Sequence, residues 1–416
     1  MKILKLNGPG LQDIYNRHYN IRRRHTEEKV KKIIEEVQTC GDDAVVKYTR
    51  RFDKVKLTPK DLSVAENEIS AAYQNITSDF INNLKVIINN VTLFYKKQVP
   101  KPCRIKNQEG VLLGEHIHPL DTVGIYIPAG TAPLVSSVYM TVIPAKVAGV
   151  KNIVIATPPT AQGHINPHIL VVANLLKVNA IYKMGGAQAV AALALGTKTI
   201  PRVDMIVGPG NMYVTEAKRQ LFGFVDIDML AGPSELVIIA NRFSNPDYVI
   251  ADLEAQMEHL GGLAILVTTS KRLLKQVRGR LKNGYGIYVQ NMDEAVDVVN
   301  KIAPEHLEIL TNHPKSISKK IRNAGAIFLG PYSPTAVGDY AAGPSHVLPT
   351  MGTARFFSGL SVHHFMKTSH VISFSRRALE KVYPNVIKIA QLENLVKHAD
   401  SVHIRFAGHH KPETKG

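Results

Sequence analysis

The chain has 416 residues, enough for two or three domains with cores of their own. Hydrophobic residues make up 45% and mean hydropathy is −0.04, which fits a globular protein; no run of about 18 apolar residues occurs, so no membrane partner is expected. The net charge of +17 raises nucleic-acid binding, but Lys and Arg are spread along the chain. Their small clusters at Arg22–Arg24, Lys315–Arg322 and Arg376–Arg377 are not interleaved with aromatics, there is no Trp, and nucleic acid is not expected as a partner. Two cysteines, Cys40 and Cys103, are too few for a disulfide framework or a Cys-rich zinc site and are expected to be buried. Any metal must then be held by His, carboxylate and amide groups. The opening apolar stretch is too short for a secretory signal, so the cytoplasm is the expected location.

The first part of the chain reads as helical. From His25 an N-cap at Thr26, early acids and a Val30/Ile33/Ile34/Val37 stripe predict a helix that stops near Gly41. A second runs from Ser78 to Lys97, and residues 98–118 read as loop or hairpin. From Val123 the texture changes to short apolar runs between helical stretches. Strands are predicted at Val123–Ile127, Asn152–Thr157, Ala180–Met184, Met205–Val207, Leu236–Ala240, Leu263–Thr268, Gly286–Gln290 and Ala326–Leu329. Continuous apolar strands between helices predict buried parallel sheets of α/β class. Two doubly wound, incomplete Rossmann-like domains are preferred over a single barrel, because Asp226–Glu235 reads as a segment crossing between them. A C-terminal helix over Val386–His398, a closing strand over Val402–Phe406 and a disordered tail from Ala407 complete a small appendage that should dock on something.

Three segments carry polar chemistry. Asn245 and Pro246 start a helix that Gly261 and Gly262 stop, placing Gln256 and His259 three residues apart on one face of its last turn. Ala303-Pro-Glu-His-Leu307 puts Glu305 beside His306 at a turn or helix start, and each can move protons near neutral pH. The Gly/Pro-rich stretch 334–350 brings in Asp339 and His346. The turns at Tyr126–Gly130, Gly185–Gln188 and Gly208–Tyr213 end three of the predicted strands, where an open parallel sheet receives ligands. Tyr213 stands where a dinucleotide fingerprint has its last glycine, so that motif is incomplete.

Asp228-Met-Leu-Ala-Gly-Pro-Ser-Glu-Leu-Val237, with Gly208-Pro-Gly-Asn-Met-Tyr-Val-Thr-Glu-Ala-Lys218, Ala303-Pro-Glu-His-Leu307 and Ser345-His-Val-Leu-Pro-Thr350, resembles the histidinol dehydrogenase family over nearly the whole chain. The resemblance implies oxidation of L-histidinol to L-histidine, the last step of histidine biosynthesis, in two NAD-dependent steps via histidinaldehyde. It implies an intertwined homodimer sharing its active site, with one Zn2+ per subunit. Gln256, His259, Asp339 and, from the other subunit, His398 then correspond to the zinc ligands. His306 corresponds to the base and Glu305 to the group that activates water. Tyr126, Gln188 and Asn211 correspond to NAD contacts. Ser234, His346 and Glu393 join His306 and the four ligands as substrate contacts. The implied layout is an arm over 1–22, a metal and catalytic domain over 23–121 plus 234–358, an NAD domain over 122–233, and a partner-docking appendage over 359–416. Leu260 departs from the family by standing where an acid is common, as do the basic His363–His364 pair and the high positive charge.

Overall fold

The computed structural model describes residues 1–17, 24–129 and 132–406. Arg22, the 1–22 arm beyond Arg17, Gly130 and the tail from Ala407 therefore lie wholly or partly outside the described residues. In chain order the strands are β1 (Lys2–Leu4), β2 (Arg104–Lys106), β3 (Val111–Pro119), β4 (Thr122–Tyr126), β5 (Asn152–Thr157), β6 (Ala180–Lys183), β7 (Met205–Val207), β8 (Asp226–Ile227), β9 (Glu235–Ala240), β10 (Leu263–Thr268), β11 (Tyr285–Tyr288), β12 (His306–Leu310), β13 (Ala326–Leu329) and β14 (Met366–Phe374).

The contacts divide the chain into two units: residues 1–99 with 119–365, and residues 100–118 with 366–416. The first holds two parallel sheets. One has the order β6-β5-β4-β7-β8, the other β1-β11-β10-β9-β12-β13. Counted from its own first strand, each runs 3-2-1-4-5, the Rossmann order without its sixth strand, and β1 extends the edge of the larger. The central strands are apolar throughout because helices cover both faces. Ile125, Ile155 and Val207 are fully buried in the smaller sheet, and Val237, Ile239 and Ile265 in the larger. The helices Arg24–Cys40 and Asp42–Phe52 bury Val30, Ile33, Val45 and Tyr48 in the core of the smaller sheet. In the second unit, β2 and β3 form the expected antiparallel hairpin, in a sheet ordered β14-β3-β2.

All eight expected strands are present, within a residue or two at their ends. Several local expectations need correction. Thr26 is not an N-cap: the helix already runs at Arg24, and the Thr26 hydroxyl turns inward to the Met212 sulfur. Cys40 and Cys103 are exposed, because one ends an amphipathic helix and the other lies beside the open hairpin. The helix from Pro246 ends at Gln256, so His259 sits in the following turn rather than in the helix. The closing strand over Val402–Phe406 does not form. Helices span Arg376–Leu392 and Val396–His403, since the Asn394–Leu395 turn, with Asn394 at φ +58, divides the region differently. Finally, Pro304 starts no helix. Ala303 is left-handed at φ +49, ending the helix Met292–Ile302, and the chain enters β12 at His306.

Candidate active site

His306 and Glu305 owe their position to the pairing of β12 with β9, in which His306 stands opposite Leu236. The start of β9 presents one backbone group to each of them. The Glu235 carbonyl accepts from His306 Nδ1 at 3.1 Å, and the Glu235 N–H donates to Glu305 Oε2 at 2.9 Å. That contact fixes the ring: with Nδ1 carrying the proton, Nε2 is the basic nitrogen when the imidazole is neutral. Nε2 is buried without a hydrogen-bond partner and lies 3.5 Å from Asp339 Oδ1. Glu305 Oε2 lies 3.6 Å from His306 Nδ1.

Both side chains are almost fully enclosed, and that sets their charge. Burial pushes Glu305 up to about 7, although His306, the Glu235 N–H and the Ser234 hydroxyl pull against it. Burial also works against a charged His306, but the carboxylates of Glu305 and Asp339 outweigh it and raise the imidazole to about 9. Asp339 is pushed up by its own burial, yet His306, His346 and His259 together hold it below the usual carboxylate range. His346 is lowered by burial. Its Nδ1 meets the Asp339 carbonyl at 2.9 Å and its Nε2 the Ser137 hydroxyl at 3.3 Å. His306, Asp339, His346, Phe94, Phe328 and Ser361 line a cavity of about 560 Å³.

The other expected metal and substrate residues fall into three groups. Gln256 is 4% exposed; its amide nitrogen is unpartnered, and its oxygen sits 3.5 Å from the Ser234 hydroxyl, the limit of a hydrogen bond. His259 is exposed and lines a separate hollow with Met257, Gly262 and Lys282, although its charge is felt by Asp339. Glu393 and His398 belong to the second unit and are exposed on it. Among the described residues no three His, Cys, Asp or Glu side chains are grouped closely enough to hold a metal. The expected ligand set supplies only two such residues from the first unit, His259 and Asp339.

The turns of the smaller sheet carry the rest. The Tyr126 hydroxyl, pushed up to about 12 by burial, accepts from the Gly186 N–H at 3.1 Å. Gln188, in the first turn of the helix Gly186–Leu195, is fully buried with both amide atoms unpartnered. Asn211 caps the helix Met212–Leu221, its oxygen accepting from the N–H groups of Tyr213 and Val214. Those two donors are therefore already engaged. Gly208 sits at φ +117, and a Cβ there would come within 2.2 Å of the Tyr126 carbonyl. Only glycine lets the ends of β4 and β7 approach so closely.

Sequence reading missed Glu235, whose backbone aligns the acid and the imidazole. Its carboxylate is held by Arg17, with Nη2 donating to Oε2 at 2.6 Å. It also missed Glu308, fully buried two residues along the strand from His306. The two-residue alternation of His306 and Glu308 against Leu307 and Ile309 was the available signal.

Two Rossmann-order sheets, one with glycine-containing turns at its carboxyl edge and the other with an enclosed acid–imidazole pair, define a doubly wound α/β protein with a titratable site. The histidinol dehydrogenase family description matches residues 16–406. Histidinol dehydrogenase of Clostridium acetobutylicum is 48% identical over 396 residues, covering 91% of each chain. That of Caldanaerobacter subterraneus subsp. tengcongensis is 46% identical, covering 94% of this chain and 96% of its own. A crystal structure of histidinol dehydrogenase from Elizabethkingia anophelis superposes with a TM-score of 0.92 at 36% identity, covering 98% of each. The chain belongs to the histidinol dehydrogenase family, and so to the oxidoreductases of amino-acid biosynthesis.

Proposed function

We propose that this chain oxidises L-histidinol to L-histidine through histidinaldehyde, with two NAD molecules and one Zn2+ per subunit. The observation that carries the reading is the enclosed Glu305–His306–Asp339 arrangement in a chain of this family. Both oxidations need a base, and the second also needs a water added to the aldehyde carbon. His306 Nε2, with its partner nitrogen tied to the Glu235 carbonyl, is oriented to take the alcohol proton. Glu305, lifted by burial to about 7, is half-ionised near neutral pH and suited to deprotonate the water. NAD, when bound, takes the hydride of each step. Tyr126, Gln188 and Asn211 would hold it at the turns of the smaller sheet, and the unpartnered amide of Gln188 is the group there that still needs a hydrogen-bonding partner.

Gln256, His259 and Asp339, with His398 from a second subunit, would hold the zinc. An amide, imidazoles and a carboxylate suit a borderline cation, and the unpartnered amide of Gln256 and the acidic Asp339 fit that use. When bound, zinc supplies a charge that orients the substrate's oxygen and nitrogens and neutralises Asp339. The last effect matters for His306. Flanked by two carboxylates it stays protonated to about 9 and cannot act as a base; with Asp339 engaged elsewhere, one of the charges holding its proton is removed. Ser234, His346 and Glu393 complete the substrate contacts, Glu393 and His398 through a shared homodimer site.

The test is NADH formation from histidinol and NAD before chelation, after it, and after zinc is restored. Activity lost on chelation and regained with zinc supports the reading. Turnover unaffected by thorough metal removal refutes the zinc role, and no turnover of histidinol by the zinc-loaded protein refutes the substrate.

A further inference from the structure

We infer that Glu308 and Asp252 are a positioning pair: a buried and a half-buried carboxyl sharing one proton, which tie together the two helices that carry Gln256 and Asp339. The inference rests on the reading of those two side chains as zinc ligands.

The connection is short at both ends. Glu308 lies on β12 on the same face as His306, two residues away, and is fully buried. Its Oε1 accepts from the Thr335 N–H at 2.8 Å. Thr335 is the first residue of the helix Thr335–Tyr340, and Asp339 follows one turn later. On the other side, the Asp252 carboxyl lies within hydrogen-bonding reach of the Glu308 carboxyl. Asp252 is on the helix Pro246–Gln256, and Gln256 follows it by one turn. One strand residue therefore grips the helix before Asp339 directly and the helix before Gln256 through its partner.

Chemistry decides what the grip is. Glu308 Oε2 is buried and meets no N–H or O–H donor, so the two carboxyls bond each other only if one of them is protonated. Leu236, Ile238 and Leu253 fill the same side of the sheet, leaving little to solvate a charge on Glu308. Burial and the neighbouring Asp252 charge keep the Glu308 proton in place to about 8, and burial raises Asp252 as well. A residue that only filled space here would be apolar; a hydrogen-bonded acid pair instead sets a distance between two helices.

The decisive measurement is zinc affinity of the full-length protein, by competition with a chromophoric chelator, beside amide hydrogen exchange at Thr335. Glu308→Gln keeps an oxygen for the Thr335 N–H and a donor for Asp252. It should hold zinc within about threefold of the parent, and Thr335 should stay protected. Glu308→Leu keeps volume but removes both bonds. It should weaken zinc about tenfold or more and expose the Thr335 amide, the size expected when a residue supporting a metal ligand is lost. If the leucine variant does not fold, Asp252→Ala, at a partly exposed position, should weaken zinc by a similar factor while Thr335 stays protected. Parent-like zinc affinity in Glu308→Leu or Asp252→Ala overturns the inference, as does a glutamine variant as weak as the leucine one. A parent that binds no zinc removes the metal reading instead; Thr335 exchange in the glutamine and leucine variants then still decides whether the clamp exists.

Discussion

The two parallel sheets share one strand order and use opposite ends of it. In the smaller sheet Tyr126 ends β4 while Gly208 and Gln188 follow the carboxyl ends of β7 and β6, the crevice where doubly wound sheets ordinarily receive ligands. In the larger sheet the corresponding switch strands are β9 and β12, yet Glu235, Glu305 and His306 stand at their amino ends. The side chains differ accordingly. The carboxyl-end turns present a fully buried amide, a phenol and an N-cap asparagine, and the charged pair behind Gly208, Lys218 and Asp228, is paired within itself. The amino-end edge holds titratable groups whose proton affinities burial and neighbours have moved. Strand order thus tells where a ligand can enter, whereas reactive groups settle wherever free backbone groups at a strand end can orient them. The N–H and C=O of Glu235 do that here.

If this division holds, changes at the two edges should separate kinetically. The largest effect is expected from His306→Asn, which keeps a donor for the Glu235 carbonyl but removes the basic nitrogen. The first oxidation should slow by about 10²–10⁴, followed as NADH in single turnovers with histidinol. A loss under about threefold would show that His306 is not the base. Glu305→Gln should come next, with histidinaldehyde oxidation falling by about 10² while the alcohol step stays within a few-fold. Equal losses in both steps would remove the division of labour between the neighbours.

How far the sequence foretold this contrast differs between the sheets. The smaller sheet was legible except at its edge strand β8, because its other strands are continuous apolar runs and its turns carry Gly and Pro at strand ends. The larger was legible except at the edge strand β1 and at β12. There His306 and Glu308 alternate with Leu307 and Ile309, a buried polar face that resembles a solvated helix end when read without its partners. Pro304 left a turn or a helix start open, and the chain turns there without starting a helix. Glu235 was hidden for another reason: its role lies in its backbone, which no residue type announces. The short strands β1 and β8 gain their stability from a neighbour rather than from their own composition. Glu305, His306 and Asp339, picked from separate segments of the sequence, do meet in the structure, but the spacing that suggested a helical Gln256/His259 pair did not anticipate the helix stopping at Gln256.

The carboxyl-end turns give a smaller prediction. Gln188→Ala removes an amide whose two polar atoms have no partner in the protein, so KM for NAD should rise about tenfold, the size of a lost hydrogen bond of 1–2 kcal/mol, with kcat nearly unchanged. A fall in kcat at constant KM would instead place Gln188 with the chemistry of the other edge.

The smallest effect is one of slope rather than rate, and it tests the charged edge without any substrate. Glu308 is raised from 4.5 to about 8 in the folded chain. Between those values the unfolded chain has released the proton and the folded chain still holds it. Stability from this group is therefore full below about 4.5 and is lost as pH rises toward 8, at a limit of about 1.4 kcal/mol per pH unit. Glu305 and Asp53, raised by burial to about 7 and about 6, add slopes of the same sign over narrower ranges. Glu308→Gln cannot titrate, so denaturant unfolding at a series of pH values should show a shallower decline between pH 5 and 8 than the parent, with the Glu305 and Asp53 contributions unchanged. Parallel curves for parent and variant would mean that Glu308 is ionised in the folded protein, and the contrast between the two sheet edges would then rest on Glu305 and His306 alone.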